Sequence, residues 1–132
     1  RQMCIRDSTY TVWYNDIVFI FYLAVEKQAR GNGIGSQILK LIKEEFPSCR
    51  LVLNIEALDD NADNNDERIR RREFYVKNGF FGAGYNVREY SVIYENLCFA
   101  PKDRPVTKEE YTALIKAYLG PFMYSLYRKL SE

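Results

Sequence analysis

The pattern of apolar and polar positions opens with two strand-like runs. Thr9–Tyr14 and residues 17–25 are rich in β-branched and aromatic residues, and the turn formers Asn15 and Asp16 separate them. This order predicts a tight β-hairpin. The second run is apolar at nearly every position, which is typical of a central strand that is covered on both faces of a sheet.

A helical period follows this hairpin. Apolar residues from Ile34 to Phe46 recur at helical spacing, with lysines on the opposite face, and Pro47 ends the helix. Arg50–Glu56 then has the pattern of a second buried strand. Together with the preceding strand, these elements predict a βαβ unit with two parallel strands, a connection that is right-handed in nearly all proteins. The expected class is α/β, with a mixed central sheet.

The remaining pattern predicts a helix at residues 67–78, short strands at 85–87 and 91–97, and two C-terminal helices at 107–119 and 121–130. Each C-terminal helix has one apolar stripe, which should pack against the rest of the chain or a second subunit. We therefore expect burial of Tyr111, Leu114, Ile115 and Tyr118. The short junction at Gly120-Pro121 should hold the two helices together as one hairpin-like unit. In contrast, residues 1–8 have no periodicity, and we interpret them as a non-native leader or a disordered tail.

Composition narrows the classes of function. The chain has 132 residues, which suit one domain, and its net charge of +1 does not favour nucleic acid or an anionic membrane as a partner. No apolar run approaches the roughly 18 residues of a membrane span. The three cysteines (Cys4, Cys49 and Cys98) are far apart and histidine is absent, so we expect reduced thiols, a cytoplasmic location and no metal site. Without histidine, Ser-His-Asp and Cys-His catalysis are excluded.

Glycines precede the first helix, at a position where helix N–H groups can bind phosphate. A Walker A loop would need Lys-Ser/Thr after the last glycine, and Ser36-Gln37 does not supply it. A dinucleotide-binding turn is a closer match, with Gly31, Gly33 and Ser36 near the required spacing. Five residues separate the strand from Gly31, however, which weakens this interpretation. A helix entry that binds no ligand is the plain structural alternative.

Two sequence blocks resemble the GCN5-related N-acetyltransferases (GNAT). RGNGIG, at residues 30–35, is similar to their acetyl-CoA pyrophosphate loop, and REFYVKNGF, at residues 72–80, is similar to their late helix, with Tyr75 five positions before Phe80. The family usually has two strands and two helices ahead of the hairpin, so the resemblance implies a GNAT domain truncated at its N-terminus. We accordingly assign residues 9–100 to a partial GNAT domain and 101–132 to a helical extension that packs on it.

The resemblance implies direct transfer of an acetyl group from acetyl-CoA to an amine in a ternary complex. It places pantetheine and pyrophosphate along Leu23, Ala24, Val25, Arg30, Gly31, Asn32, Gly33, Ile34, Gly35 and Ser36. It makes Tyr75 the acid that protonates the departing thiolate. A thiol pKa of about 8.5 lies below that of a phenol, about 10, so positioning must assist this step. Glu56, at the end of its strand, is our candidate base, with a solvated carboxylate as the equally simple alternative.

The expected partner is a small-molecule or peptide amine, with no nucleic acid and no membrane, and a homodimer is compatible with the C-terminal helices. The alternative function is a CoA-binding domain without catalytic activity. A phenylalanine at position 75 would favour that alternative, whereas Tyr75 favours catalysis.

Overall fold

The computed structural model describes residues 2–6, 9–23 and 33–131, which form a sheet with helices on both faces. The strands are β1 (Gln2–Arg6), β2 (Thr9–Tyr14), β3 (Ile17–Leu23), β4 (Arg50–Glu56), β5 (Phe81–Glu89) and β6 (Val92–Phe99), and the helices are α1 (Ile34–Glu45), α2 (Asn65–Lys77) and α3 (Lys108–Ser131). The six strands lie in the order β1-β2-β3-β4-β6-β5. Strands β3 and β4 are parallel and the other neighbours are antiparallel. The predicted mixed α/β class is confirmed.

The predicted hairpin and βαβ unit are both present. Asn15 and Asp16 form the turn between β2 and β3, and Asn15 has a positive φ of 56°, which asparagine tolerates better than most residues. The β5–β6 hairpin is also present, but both strands are longer than the sequence predicts. Its backbone pairing extends into Gly82 and Cys98, and ladder hydrogen bonds do not depend on side-chain type.

The expectation for the first residues is wrong in one respect. Gln2–Arg6 is a strand at the edge of the sheet, paired antiparallel with β2 along its whole length. The aperiodic side chains gave no sign of it, because an edge strand can be held by its backbone hydrogen bonds alone.

Two apolar clusters cover the two faces of the sheet. Helices α1 and α2 pack on one face, and α3 packs on the other. Strand β3 alternates between them, since Val18 and Ile20 belong to the first cluster while Ile17 and Phe19 belong to the second. The prediction that this strand is covered on both faces is therefore confirmed for its first four residues.

Helix α3 consists of two helical segments and changes direction at Gly120, whose φ of 82° and ψ of 167° are not helical. Tyr111 and Tyr127 line the same cavity, although 16 residues of straight helix would separate them by about 24 Å. The chain must therefore fold back at Gly120. Tyr111 and Leu114 are buried as predicted, but Tyr118 is 37% exposed, so its predicted burial is wrong.

No helix in the described part of the chain is long and apolar enough to cross a membrane.

Candidate functional site

Strands β3 and β4 separate toward their C-terminal ends. Their parallel pairing joins Ile17 to Arg50, Val18 to Leu51 and Phe19 to Val52. Beyond these three pairs, β3 remains bonded to β2, and β4 to β6. A gap, which we call the strand gap, thus opens between residues 20–23 and 53–56. Among the described residues, the backbone edges that face each other across it have no ladder partner.

Helix α1 begins with N–H groups available to an anion. Gly33 precedes the helix with a φ of 78°, and a Cβ atom added there would meet nothing within 4 Å. No side chain caps this terminus, and its first turn contains no acidic residue. The first helical bond runs from Gln37 N to Gly33 O at 3.1 Å, so Ile34, Gly35 and Ser36 have no intrahelical acceptor for their N–H groups. This terminus carries the positive end of the helix dipole.

The start of α1 is fixed against the end of α2. A Cβ atom on Gly35 would lie 2.9 Å from Cζ of Phe74, so only glycine allows the two helices to approach this closely. The side-chain amide of Asn78 donates a hydrogen bond to Ser36 Oγ at 3.2 Å. The glycine turn is therefore held next to the helix that carries Tyr75.

Tyr75 is only 5% exposed and lies on the face of the sheet covered by α1 and α2. Its cluster includes Ile20, Leu53 and Ile55, all of which lie beyond the last β3–β4 pair. Its ring meets that of Phe80 edge-on, with centroids 5.7 Å apart. The structure thus brings Tyr75 next to the side chains that flank the strand gap.

Both carboxylate oxygens of Glu56 are engaged by arginines of α2. Arg68 Nη2 lies 3.0 Å from one oxygen and Arg71 Nη1 lies 3.3 Å from the other. Arg68 also donates to Ala57 O, which ties α2 to the loop after β4. Glu56 is therefore an ion-paired residue rather than an isolated solvated carboxylate. On the sheet it pairs with Tyr94 of β6.

An open groove between α1 and α2 is basic. Lys40, Lys43 and Lys77 line it together with Ser36 at the start of α1. Arg71 and Arg72, two other basic residues of α2, are paired with carboxylates. Arg71 pairs with Glu56, and Arg72 Nε lies 2.8 Å from Glu95 Oε1. The groove therefore continues the positive potential of the helix terminus through its lysines.

A cavity of about 330 Å³ lies on the opposite face of the sheet, under α3. Asn54 and Tyr111, which line the cavity, belong to a hydrogen-bonded network beside it. Asn96 Nδ2 donates to Asn54 Oδ1 at 2.6 Å, Asn54 Nδ2 donates to the Tyr111 hydroxyl at 2.9 Å, and Tyr85 donates to Asn96 Oδ1 at 2.8 Å. Burial raises the pKa of Tyr85 and of Tyr111, so both stay protonated at neutral pH. Tyr111 was predicted to be buried, but the polar network of Asn54, Tyr85 and Asn96 was not predicted, although an asparagine within each apolar strand was an available signal.

Several predicted contacts lie outside the described residues: Ala24, Val25, Arg30, Gly31 and Asn32. The described members of the predicted cofactor set are Leu23, at the end of β3 beside the strand gap, and residues 33–36 at the start of α1.

Comparisons with known proteins identify the family. The profile of the family described as "Acetyltransferase (GNAT) domain" matches residues 3–80. The chain is 33% identical over 79 residues to "Putative acetyltransferase YjbC" of Bacillus subtilis (strain 168); the match covers 57% of this chain and 38% of that protein. The chain thus spans well under half the length of this relative.

Two solved structures share the fold. One is described as "Putative acetyltransferase from GNAT family" from Bacteroides thetaiotaomicron, with a TM-score of 0.55, 16% identity, and coverage of 84% of this chain and 61% of that one. The other is an aminoglycoside 6'-N-acetyltransferase in complex with coenzyme A, with a TM-score of 0.50, 16% identity, and coverage of 76% and 72%. Because the family profile matches more than half of the sequence, the chain belongs to the GNAT family of acetyltransferases.

Proposed function

We propose that the protein is an acetyl-CoA-dependent N-acetyltransferase that acts on a primary amine by direct attack within a ternary complex. The observation that carries this proposal is the strand gap. The β3–β4 pairing ends after Phe19 and Val52, and in the described part of the chain the two strand edges beyond it offer N–H and C=O groups without a ladder partner. An arm with amide groups, such as pantetheine, can bind there as an additional strand partner would.

The glycine turn supplies the second half of the cofactor site. The pyrophosphate binds the N–H groups of Ile34, Gly35 and Ser36, where the helix dipole favours negative charge. Lys40 and Lys77, in the basic groove, lie where further phosphate charge would be stabilised. Because α1 follows β3 and precedes β4 in the chain, one extended ligand can occupy both the gap and the helix terminus.

In the proposed reaction, the amine nitrogen attacks the thioester carbonyl carbon and a C–N bond forms. The C–S bond then breaks, and the departing thiolate takes a proton from the hydroxyl of Tyr75. An N–H group of β3 at the gap stabilises the oxyanion, as preorganised donors do in other acyl transfers. Glu56 accepts the proton of the amine, directly or through water. On the sheet Glu56 is paired with Tyr94, which lines the cavity under α3, and this supports the role.

Calorimetry with acetyl-CoA tests the cofactor site. Gly33→Glu places a carboxylate at the terminus of α1 and should weaken binding by about 10-fold or more, because like charges repel where the pyrophosphate binds. Gly84→Glu is the matched control, since Gly84 also has a positive φ, 97°, and open space around it but lies in β5. Equal affinities in the two variants would refute the site. If acetyl-CoA binds but no amine is acetylated, the alternative of a non-catalytic CoA-binding domain holds.

A further inference from the structure

The cavity under α3 extends across five of the six strands of the sheet. We call it the tyrosine cavity. Its floor has one residue from each of five strands, Val12, Phe19, Asn54, Tyr94 and Glu89, and its roof comes from α3, through Tyr111, Leu114, Ile115, Tyr118, Leu119 and Tyr127. Most of this lining is apolar or aromatic. Such a surface suits a ligand with a hydrocarbon body.

Among the described residues that line the cavity, Glu89 is the one carboxylate. Glu89 accepts a hydrogen bond from the Tyr127 hydroxyl at 3.3 Å. Ion pairs in the described part of the chain engage Asp16, Glu56, Glu95 and Glu110, and none includes Glu89. Burial raises its pKa, as expected for a carboxylate without a cation beside it. Arg68 interacts electrostatically with Tyr94 at the cavity floor, but its guanidinium is already paired with Glu56.

A cation bound in the cavity would supply the missing counter-charge. An ammonium group fits because it donates hydrogen bonds to a carboxylate and is attracted by tyrosine rings. A neutral or anionic ligand would leave Glu89 without an opposite charge. The chemistry of the cavity therefore selects an alkylammonium group.

The position of Glu89 adds a second requirement. Phe19 and Asn54 line the cavity where it meets the strand gap, so an acceptor amine must reach that end. Asn54 pairs with Asn96, and Glu89 pairs with Val92, two strands across. Standard sheet spacings then place the Cα atoms of Asn54 and Glu89 about 16 Å apart. A single amino group cannot occupy both ends.

We propose that the tyrosine cavity binds the acceptor as a diamine, with one amino group at the strand gap and a second, charged one on Glu89. The apolar spacer lies against Leu114, Ile115 and the tyrosine rings. Glu89 is thus a specificity residue that holds the acceptor by the end that does not react. This inference rests on the acetyl-transfer function proposed above, and it defines the class of substrate for that function.

Binding and transfer can be measured separately. In calorimetry without acetyl-CoA, Glu89→Gln should raise the Kd for hexane-1,6-diamine by about 10-fold or more, because a charge-assisted hydrogen bond is lost. Glutamine keeps the shape of the side chain and an oxygen for Tyr127. Glu109→Gln, an exposed acidic position on α3, is the matched control and should leave the Kd unchanged. If Glu89→Gln does not fold, Ile115→Phe, which narrows the cavity, should weaken diamine binding in the same assay.

In transfer assays, 6-aminohexan-1-ol is the matched acceptor, with the same length and one amino group. The wild type should prefer the diamine by about 10-fold or more in kcat/KM, well beyond the twofold that two equivalent amines give, and Glu89→Gln should abolish the preference. Equal kcat/KM values in the wild type would overturn the diamine assignment while acetyl transfer stands. If diamine binding depends on Glu89 but no amine is acetylated, the catalytic function is refuted and the assignment of the tyrosine cavity as a diamine site is supported. An unchanged Kd in Glu89→Gln would overturn the inference.

Discussion

A buried arginine ties three parts of the fold together and should control how firmly α3 is docked. Arg50, at the start of β4, is 6% exposed. Its guanidinium donates to Asp16 Oδ1 at 2.9 Å, in the β2–β3 turn, and to Glu110 Oε1 at 2.9 Å, in the first turn of α3. Since α3 forms the roof of the tyrosine cavity, this cluster links the stability of the fold to the acceptor side of the site.

The size of the effect follows from the carboxylates. The Arg50 guanidinium lowers the pKa of Glu110 from 4.5 to about 2, with a smaller contribution from Thr107. At about 1.4 kcal/mol per pKa unit, this pKa shift corresponds to roughly 3 kcal/mol of stabilisation without solvent screening. Glu110 is 36% exposed, so we reduce its share to about 1–2 kcal/mol. With the bonds to Asp16 and to Pro105 O also lost, Arg50→Met should cost about 2–4 kcal/mol at pH 7.

The pH dependence identifies the mechanism. Arg50 lowers the pKa of Asp16 as well as that of Glu110 in the folded state. Stabilisation from such carboxylates is fully present above their unfolded pKa values of 3.8 and 4.5 and is lost as the pH falls toward the folded values. The difference between wild type and Arg50→Met should therefore be constant from pH 6 to 8 and shrink between about pH 5 and 2.

Urea unfolding of both proteins across this pH range measures the difference directly. Arg104→Met is the matched control, because Arg104 contacts the same Asp16 from an exposed position, and its loss should cost less than about 1 kcal/mol. A difference between wild type and Arg50→Met that stays constant down to pH 2 would show that lost packing, not charge, explains the variant. A cost equal to that of Arg104→Met would refute the role of the buried cluster.

Two further predictions concern the reaction. Tyr75→Phe should lower kcat by about 10²-fold or more and leave the KM for acetyl-CoA nearly unchanged, because only the proton donor is lost. Steady-state kinetics measure both values. An unchanged kcat would mean that Tyr75 serves only as a buried core residue. If Glu56 accepts the amine proton, Glu56→Gln should remove the basic group that controls kcat/KM from the pH-rate profile. A lower unfolding midpoint with an unchanged pH-rate profile would show that Glu56 serves only in the ion pairs with Arg68 and Arg71.

The sequence predicted the parts of the fold that depend on local pattern. The β2–β3 hairpin follows from the turn formers Asn15 and Asp16 between two β-rich runs, and α1 follows from helical spacing that ends before Pro47. The parallel pairing of β3 and β4 follows from the helix between them. The hairpin and the helix are each encoded within about fifteen consecutive residues, and the parallel pair within about forty.

Features formed by distant residues could not be predicted in this way. The tyrosine cavity combines Val12 with Tyr127, and the ion-pair cluster combines Asp16 with Glu110. Glu89 looks like any polar residue near a hairpin turn until the fold places it under α3. The edge strand β1 was missed because its side chains carry no pattern and its backbone carries the pairing.

The two halves of the proposed site differ in how they relate to the rest of the family. The glycine turn, Tyr75 and both edges of the strand gap lie within residues 3–80, which the family profile matches. The roof of the tyrosine cavity and its carboxylate, by contrast, come from Glu89 and from residues 111–127, beyond that match. Related proteins can retain the backbone groups proposed to hold acetyl-CoA while their side chains at the cavity positions differ. In the site that we propose, α3 and the end of β5 therefore determine the identity of the acceptor, and relatives that share only the matched region need not share this preference.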